Sequence, residues 1–378
     1  MRVLFSALPN SGHFLPMAPF IKSMLGAGHE VMVASAPGFQ AQVAATGADF
    51  WAVGHPSPES LAPDFERLAG LTTREANDWM VGQFFGRIRP TAALPRLREA
   101  LTSWRPQLVL RDSAEFGGSL AAEQLGVPVG RIAIGLGATE EFILPGAAPS
   151  IDMLRAGCGL PADPGLTRIR HEPYLTLFPA GLEDPAIPDP VHTIRFRNPS
   201  WTPSAAEAAS SGLVYVTLGS EAGHMPGSAR VYSEAMAAVA DVDRDVLLTT
   251  GSADPAWFRD PPPNVRVERW VDQAQVLAGA SAVICHGGGG TTLGALAAGV
   301  PLVMVPLFAD DQHINAGRVA AAGVGVSVVP ERDAIRSGLL TVLREEAFRS
   351  RARVLAAELR GQHSTDDAID LLAADGLI

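Results

Sequence analysis

The sequence has little cysteine and lacks the segments that mark a secreted or membrane-bound protein. Only Cys158 and Cys285 occur, too few for a disulfide framework or a cysteine-rich metal site. The opening stretch, Met1–Ala7, has neither the length nor the cleavage pattern of a secretory signal. Glycines and prolines interrupt the most apolar tract, Val276–Ala309, which excludes a membrane span there. We therefore expect a cytoplasmic protein.

Charge is also scarce. Charged residues make up 18% of the chain and the net charge is −11, so general affinity for nucleic acid or for an anionic membrane is not expected. Apolar residues make up 47%, which is enough for a large core. At 378 residues the chain exceeds one ordinary core, so two domains of similar size are expected.

Two common phosphate-binding patterns are missing. The sequence has no G-x-x-x-x-G-K-[ST] segment, and no G-x-G-x-x-G with a following acidic residue opens the first β-α-β unit. These absences disfavour an ATPase and a dehydrogenase.

Short β-branched runs alternate with helical patterns in both halves of the chain. The predicted strands are Val3–Ser6, Glu30–Ala34, Leu108–Leu110 and Val129–Ile134 in the first half, and Leu213–Leu218, Val246–Thr249, Ala282–Cys285, Leu302–Val305 and Val324–Val328 in the second. Between the first two strands, an apolar helical face ends at Gly28. The alternation predicts an α/β protein with two Rossmann-like domains that face each other across a cleft.

Composition places the domain boundary near residue 197. The segment Pro179–Ser211 is rich in proline, and the Ala/Ser-rich stretch at its end lacks a strand pattern. We expect an N-terminal domain over residues 1–196, a linker over 197–211, a C-terminal domain over 212–360, and a C-terminal helix over 361–378 that returns to the first domain. A second irregular stretch, His55–Ala76, predicts a binding loop of the first domain.

The strongest chemical signal is a run of four glycines directly after a predicted strand and before a helical pattern. Gly288, Gly289 and Gly290 would let a ligand approach the backbone closely, and the helix start at Thr291 would present free N–H groups to a diphosphate. His286, at the end of the strand, could donate a hydrogen bond to that diphosphate and stabilise it as a leaving group. A plain tight turn is the alternative for the same glycines.

Polar and aromatic residues flank this run. Asp311 and Gln312 follow the next strand in a predicted loop, where they could bond sugar hydroxyls; the alternative is a helix N-cap. Trp270 could stack on a nucleobase while backbone groups of Val271 contact its edge. A lone tryptophan more often belongs to a core.

A second candidate segment lies at the first strand-to-helix turn, Asn10–Pro16. His13 stands there at the carboxyl end of the predicted sheet, where ligands of such folds bind. A histidine can take the proton of an attacking hydroxyl group near neutral pH. A helix cap or a surface position is the alternative for a lone histidine at a helix start.

Together these segments resemble the donor signature of nucleotide-sugar glycosyltransferases that decorate natural products, above all the actinomycete antibiotic and macrolide members. The matching segments are Trp270-Val271-x-Gln273, His286-x-Gly288 with Thr291, Gly299-Val300-Pro301 and Asp311-Gln312. The resemblance implies the glycosyltransferase B-type fold, with the donor held mainly by the second domain. The implied donor residues are Trp270 and Val271 for the base with Gln273 in the same segment, His286 and Gly288 to Thr291 for the diphosphate, Asp311 and Gln312 for the sugar, Thr217, Gly219 and Ser220 as a second phosphate-side loop, and Gly12.

The resemblance also implies the catalytic residues. Gly-His-x-x-Pro at Gly12–Pro16 matches the catalytic-base segment of many members, which implies that His13 is the base. Asp112, at the end of a later strand, matches the carboxylate that orients that base. Asp112 could instead cap the next helix, and Glu115 is a further candidate.

The implied reaction is an inverting transfer of a deoxysugar to a small aglycone, such as a polyketide, in antibiotic or other secondary-metabolite biosynthesis. Plant relatives carry a ribose-binding glutamate where this chain has Gly294, which favours a thymidine diphosphate donor. No metal or cofactor is expected, because His286 and the helix start can stabilise the leaving diphosphate.

Two other functions stay open on the sequence: a nucleotide-sugar epimerase or hydrolase, and a non-catalytic nucleotide-sugar-binding partner protein. Three apolar segments, Ala48–Ala76, Trp79–Arg89 and Gly135–Leu154, predict either acceptor-site walls or ordinary core. The acceptor, the sugar, the glycosylated atom and the choice between monomer and homodimer are not specified.

Overall fold

The computed structural model describes residues 1–68, 70–201, 212–220, 222–224, 227–374 and 376. The chain divides into two compact units, of which the first comprises Met1–Leu177, Pro185–Phe196 and His363–Ile378, and the second Phe178–Asp184 and Arg197–Gln362. The C-terminal segment therefore belongs to the first unit. Most of the predicted linker, residues 202–211, lies outside the described residues.

Each unit is built on one sheet. In chain order the strands are β1 Arg2–Ser6, β2 Glu30–Ser35, β3 Asp49–Ala52, β4 Leu108–Asp112, β5 Val129–Ile132, β6 Tyr174–Thr176, β7 Thr193–Arg197, β8 Leu213–Thr217, β9 Val246–Thr249, β10 Val265–Glu268, β11 Ala280–Cys285, β12 Leu302–Met304, β13 Gly325–Ser327 and β14 His363–Ser364. The first sheet has the order β14-β7-β6-β5-β4-β1-β2-β3, and the second β10-β9-β8-β11-β12-β13. The prediction of two parallel α/β domains is confirmed.

The helices connect these strands. They are α1 Ser11–Phe14, α2 Ala18–Gly26, α3 Gln40–Ala44, α4 Pro58–Leu68, α5 Thr73–Trp79, α6 Arg89–Ser103, α7 Phe116–Leu125, α8 Gly137–Gly157, α9 Thr167–Arg170, α10 Ser228–Val239, α11 Gln273–Gly279, α12 Gly289–Ala297, α13 Asp310–Ala321, α14 Arg332–Arg344, α15 Glu346–Gly361 and α16 Ala368–Ala374. A π-helix, Met80–Ile88, joins α5 to α6. No helix in the described ranges has both the length and the apolar composition that crossing a bilayer requires.

The sheet order decides which loops meet. In the first unit β1 and β4 are parallel neighbours, with Val3 aligned to Leu108. In the second unit β8 and β11 are parallel neighbours, with Thr217 aligned to Cys285. Because parallel strands end at the same edge of a sheet, the segments after β1 and β4 lie together, as do those after β8 and β11.

Buried aliphatic and aromatic side chains fill each unit. The core of the first unit includes Leu4, Leu97, Val109, Phe116, Leu120 and Ile151, and that of the second Val214, Tyr232, Leu248, Ile284, Val303 and Leu339. Full burial of such a side chain contributes roughly 1.5–3 kcal/mol. These cores hold the strand ends in fixed positions.

Each predicted strand is present, but several observed strands were not predicted. β3 and β10 are edge strands of only four residues with partly exposed side chains, so they have no continuous apolar run. Strand β7 was not predicted either; it lies inside the proline-rich segment, and its last residue, Arg197, falls within the predicted linker. The stretch His55–Ala76, predicted as irregular, contains α4 and most of α5.

Candidate active site

His13 lies in the one-turn helix α1, shortly after β1 ends. Asn10 begins this helix, because its side chain accepts a hydrogen bond from the Gly12 N–H at 2.8 Å. The Gly12 N–H is therefore already bonded within its own turn. The tight turn directs His13 Nδ1 to 3.2 Å from Asp112 Oδ1, and the His13 side chain is 15% exposed. The structure thus joins the two predicted catalytic residues.

Asp112 is the last residue of β4 and is fully buried. Its Oδ2 accepts the Leu8 N–H at 2.8 Å, and its Oδ1 accepts the Ala114 N–H at 2.9 Å. These backbone donors fix the carboxylate and compensate its burial. A carboxylate held in this way orients the imidazole through Nδ1 and leaves Nε2 to face a substrate. The helix after β4 is capped by Glu115 rather than by Asp112.

Glu115 is buried and its two oxygens are occupied. They accept hydrogen bonds from Ser6 Oγ at 2.6 Å and from the N–H groups of Gly117 and Gly118, both at 2.8 Å. Burial raises the pKa of Glu115, and the bond from Ser6 opposes that rise. Its contacts are those of a helix cap.

An aromatic residue that the sequence did not single out lies beside His13. The ring centroid of Phe85 is 5.8 Å from that of His13, at an interplanar angle of 43°. Phe85 belongs to the π-helix, and such helices often occur at functional sites. The only sequence signal was its position in the apolar segment Trp79–Arg89.

In the second unit, the glycine run connects β11 to α12. Gly288 begins the helix with no side chain bonded to its first N–H groups, so the amides of Gly289 and the next residues are available to a ligand. Gly287 has φ of +96°, and a Cβ there would lie 2.9 Å from the Gln312 carbonyl oxygen. The turn therefore depends on glycine where the chain packs closest.

His286 sits between two glycines of different loops. A Cβ on Gly219 would come within 2.6 Å of His286 Cε1, and a Cβ on Gly288 within 2.6 Å of Nε2. The predicted phosphate-side loop after β8 therefore touches the predicted diphosphate histidine. Gly219 has φ of +85°, and Thr217 Oγ1 accepts its N–H at 3.4 Å. Ser220 is the next residue of this loop.

The imidazole of His286 has an unusual environment. Its Nδ1 is buried and has no hydrogen-bond partner in the described structure. Burial lowers the pKa of His286 to about 4. The ring is thus neutral at physiological pH, so one nitrogen carries a hydrogen and the other does not. A neutral imidazole can donate one hydrogen bond to an anion such as a phosphate.

The segment predicted to bind the nucleobase lies between β10 and α11. Trp270 is 63% exposed, so it does not belong to the core. Val271 follows it in the same loop, and Asp272 caps α11. Gln273 Nε2 donates to Thr291 Oγ1 at 3.1 Å, which ties the predicted base segment to the start of α12.

Asp311 and Gln312 lie in the first turn of α13, not in the predicted loop. Gln312 is buried, and its Oε1 accepts the N–H groups of Leu307 at 2.9 Å and Phe308 at 3.3 Å. Only its amide nitrogen is left for a ligand. Asp311 is partly exposed at the helix start, where a carboxylate is favoured by the helix dipole.

One further residue of α13 supports the glycine run. Asn315 is fully buried and donates through Nδ2 to the Gly287 carbonyl oxygen at 2.8 Å. Sequence reasoning missed it, although it lies on the helix face one turn after Asp311. It positions the loop and does not itself reach the helix start.

An Asp-x-Asp sequence occurs in the second unit at Asp241-Val242-Asp243. It precedes β9, so it lies at the amino ends of the parallel strands, opposite the edge where His286 lies. Both aspartates are exposed. This pair is therefore not part of the donor loops.

Comparison with known proteins identifies the family. The profile of the N-terminal domain of erythromycin biosynthesis protein CIII-like proteins matches residues 22–145, and that of the C-terminal domain matches residues 233–373. The elloramycin glycosyltransferase ElmGT of Streptomyces olivaceus is 31% identical over 100% of this chain and 98% of its own. The 4'-demethylrebeccamycin synthase of Lentzea aerocolonigenes is 29% identical over 100% and 99%, respectively.

Solved structures show the same fold. The spinosyn rhamnosyltransferase SpnG matches with a TM-score of 0.81 at 23% identity, covering 99% of this chain and 100% of that one. The glycosyltransferase VinC, solved in complex with dTDP, matches with a TM-score of 0.78 at 24% identity and 99% coverage of each chain. The fold is the glycosyltransferase B-type fold, and the chain belongs to the erythromycin biosynthesis protein CIII-like family of natural-product glycosyltransferases.

Proposed function

We propose that this enzyme transfers a deoxysugar from a thymidine diphosphate carrier to a small natural-product aglycone, with inversion at the anomeric carbon and without a metal ion or other cofactor. The observation that carries the proposal is the arrangement around His286. A neutral imidazole, held between Gly219 and Gly288, stands beside the uncapped start of α12. The imidazole and the backbone amides are hydrogen-bond donors without a fixed positive charge, and such donors can bind a diphosphate.

The proposed chemistry has two parts. His13 Nε2 takes the proton of the acceptor hydroxyl while its oxygen forms a bond to the anomeric carbon. The bond from that carbon to the diphosphate oxygen breaks, and thymidine diphosphate leaves with the electron pair. Asp112 stabilises the imidazolium that forms on His13. Attack opposite the leaving group inverts the anomeric configuration.

Negative charge grows on the diphosphate as it leaves. Hydrogen bonds from His286 and from the first amides of α12 strengthen with that charge, which lowers the barrier without a metal. A metal-free reaction is thus part of the proposal.

The choice of thymidine rests on Gly294. A Cβ at this buried position would lie 3.0 Å from Leu277 Cδ1 and 3.6 Å from Gln273 Oε1. A longer side chain here would displace α11, so no carboxylate at this position accepts hydrogen bonds from the hydroxyls of a ribose. A deoxyribose lacks the 2′-hydroxyl, so its binding depends less on such a carboxylate. A cytoplasmic location belongs to the same proposal, and the two free cysteines agree with it.

Thermal unfolding with thymidine diphosphate and a chelator tests the donor site. We expect the nucleotide to stabilise the wild type, by about 2.7 kcal/mol at 100 times Kd, because it binds only the folded state. His286→Ala should lose most of this effect. His313→Ala is the matched control, because His313 is exposed in the same unit. Retained stabilisation in His286→Ala would argue against the diphosphate role, and a strict metal requirement would count against the mechanism.

A further inference from the structure

A small pocket opens in the first unit, beside the carboxyl ends of β1 and β3. Its walls are apolar or backbone except at Ser6, His55, Arg89 and Glu115. Leu8, whose N–H donates to Asp112, also lines it. The pocket therefore shares residues with the surroundings of the proposed base.

Arg89 supplies the cation in this pocket. It is the first residue of α6, and its guanidinium lies 5.1 Å from the ring centroid of Phe84. Its Nη1 donates to His55 Nε2 at 3.3 Å, while its buried Nε has no hydrogen-bond partner in the described structure. Burial lowers the pKa of Arg89 to about 10 while the charges of Asp112 and Glu115 oppose that fall, so the side chain is still charged at neutral pH.

Three fully buried arginines of this unit, by contrast, are each neutralised at close range. Arg111 pairs with Glu172 at 2.7 Å, Arg131 with Glu140 at 3.1 Å and Arg155 with Glu123 at 2.6 Å. Within the described ranges, no carboxylate oxygen lies within 4.0 Å of the Arg89 guanidinium. Asp112 and Glu115 stabilise the charge of Arg89 from beyond that distance, so the guanidinium has no direct ion pair and an anion in the pocket could supply one.

The pocket is also held in shape. A Cβ on Gly54 would collide with the Ala92 carbonyl oxygen, so the loop after β3 rests directly on α6. This contact places His55 beside Arg89. Because His55 accepts from Arg89, the guanidinium is held in place before any ligand binds.

We propose that Arg89 binds an anionic oxygen of the acceptor, either a carboxylate or an acidic phenolate, so that the enzyme selects aglycones that carry one. This inference rests on the proposed function, in which His13 of the first unit takes the proton of the acceptor hydroxyl. The net charge of −11 repels anions in general, so recognition of an anionic acceptor requires a local cation. A planar guanidinium suits a carboxylate or a phenolate.

Direct binding of small aromatic probes tests this site without any donor. Fluorescence titration with 6-hydroxy-2-naphthoate and its methyl ester measures the preference for a carboxylate. Titration with 4-nitrophenolate and 4-nitroanisole, at a pH where the phenol is ionised, measures the preference for a phenolate. We expect the wild type to bind at least one anion about 10- to 100-fold more tightly than its neutral partner.

Arg89→Gln should bind the anion and its neutral partner with about equal affinity, and Arg89→Lys should show an intermediate preference. Arg87→Gln is the matched control, because Arg87 is exposed two residues before Arg89, and it should keep the wild-type preference. Equal binding of anion and neutral partner in the wild type, for both pairs, would overturn the proposal. An unchanged preference in Arg89→Gln would do so as well. Stabilisation by thymidine diphosphate reports separately on the donor site, so the two failures are distinguishable.

Discussion

The two histidines that carry the proposed chemistry have opposite surroundings. His13 is hydrogen-bonded through Nδ1 to a buried carboxylate that two backbone amides hold in place. His286 has no carboxylate partner, its Nδ1 has no hydrogen-bond partner in the described structure, and burial lowers its pKa to about 4. Each lies after a strand at the carboxyl edge of a parallel sheet. Their different roles therefore come from their neighbours.

The two environments suit two different roles in the proposed reaction. A general base becomes positively charged during the reaction, so it needs a nearby anion to stabilise the imidazolium. A hydrogen-bond donor to a diphosphate must keep its hydrogen and needs no charge of its own. The environment of His286 penalises its protonation, so we do not expect it to act as a general acid near pH 7. The glycines that surround it leave room for its ring.

The largest effect should follow His13→Ala. Transfer to a true acceptor under saturating donor should fall by about 10²–10⁴-fold, because the acceptor hydroxyl loses its base. Stabilisation by thymidine diphosphate should not change, since the donor loops belong to the other unit. Steady-state kinetics and thermal unfolding of the same preparation check both statements.

Asp112→Asn sharpens this first prediction. The amide keeps the shape of the carboxylate but not its charge, so turnover should also fall, though by less than in His13→Ala. Near-normal turnover in His13→Ala would eliminate that residue as the base and point instead to Asp112 or Glu115. Loss of nucleotide binding in His13→Ala would contradict the separation of roles between the two units.

A smaller effect is expected from Gly219→Ala. The new Cβ would lie 2.6 Å from His286 Cε1, and φ of +85° is strained for any residue with a Cβ. The imidazole should shift, and we expect thymidine diphosphate affinity to fall about tenfold, measured by calorimetry. Gly317→Ala is the control, because its Cβ would meet nothing within 4 Å. Equal affinity in the two variants would show that Gly219 does not position His286.

The sequence predicted these sites unevenly, for physical reasons. Gly219, Gly288 and His286 were recognisable because a ligand that approaches the backbone requires glycine, which is visible in sequence. Phe85 and Arg89 were not recognisable as site residues. Their positions depend on a π-helix, whose extra residue per turn leaves no periodic signal.

The strands, too, were predictable from the sequence only in part. Central strands such as β4 and β11 are buried on both faces and appear as continuous apolar runs. The edge strands β3 and β10 carry exposed residues, so periodicity does not distinguish them from loops. The bond from Asn315 to Gly287 joins residues far apart in sequence, and only the folded chain brings them together.

The pH dependence of stability gives the last test, and it concerns His286 alone. Burial lowers the folded-state pKa to about 4 from the ordinary value of 6.5, so between these values the unfolded chain binds more protons. Stability should therefore fall as the pH drops from 6.5 towards 4, by at most about 1.4 kcal/mol per pH unit from this group. His286→Asn cannot titrate, so its melting temperature should fall less steeply than that of the wild type over the same window. Parallel curves for the two proteins, measured without nucleotide, would show that His286 is not held neutral.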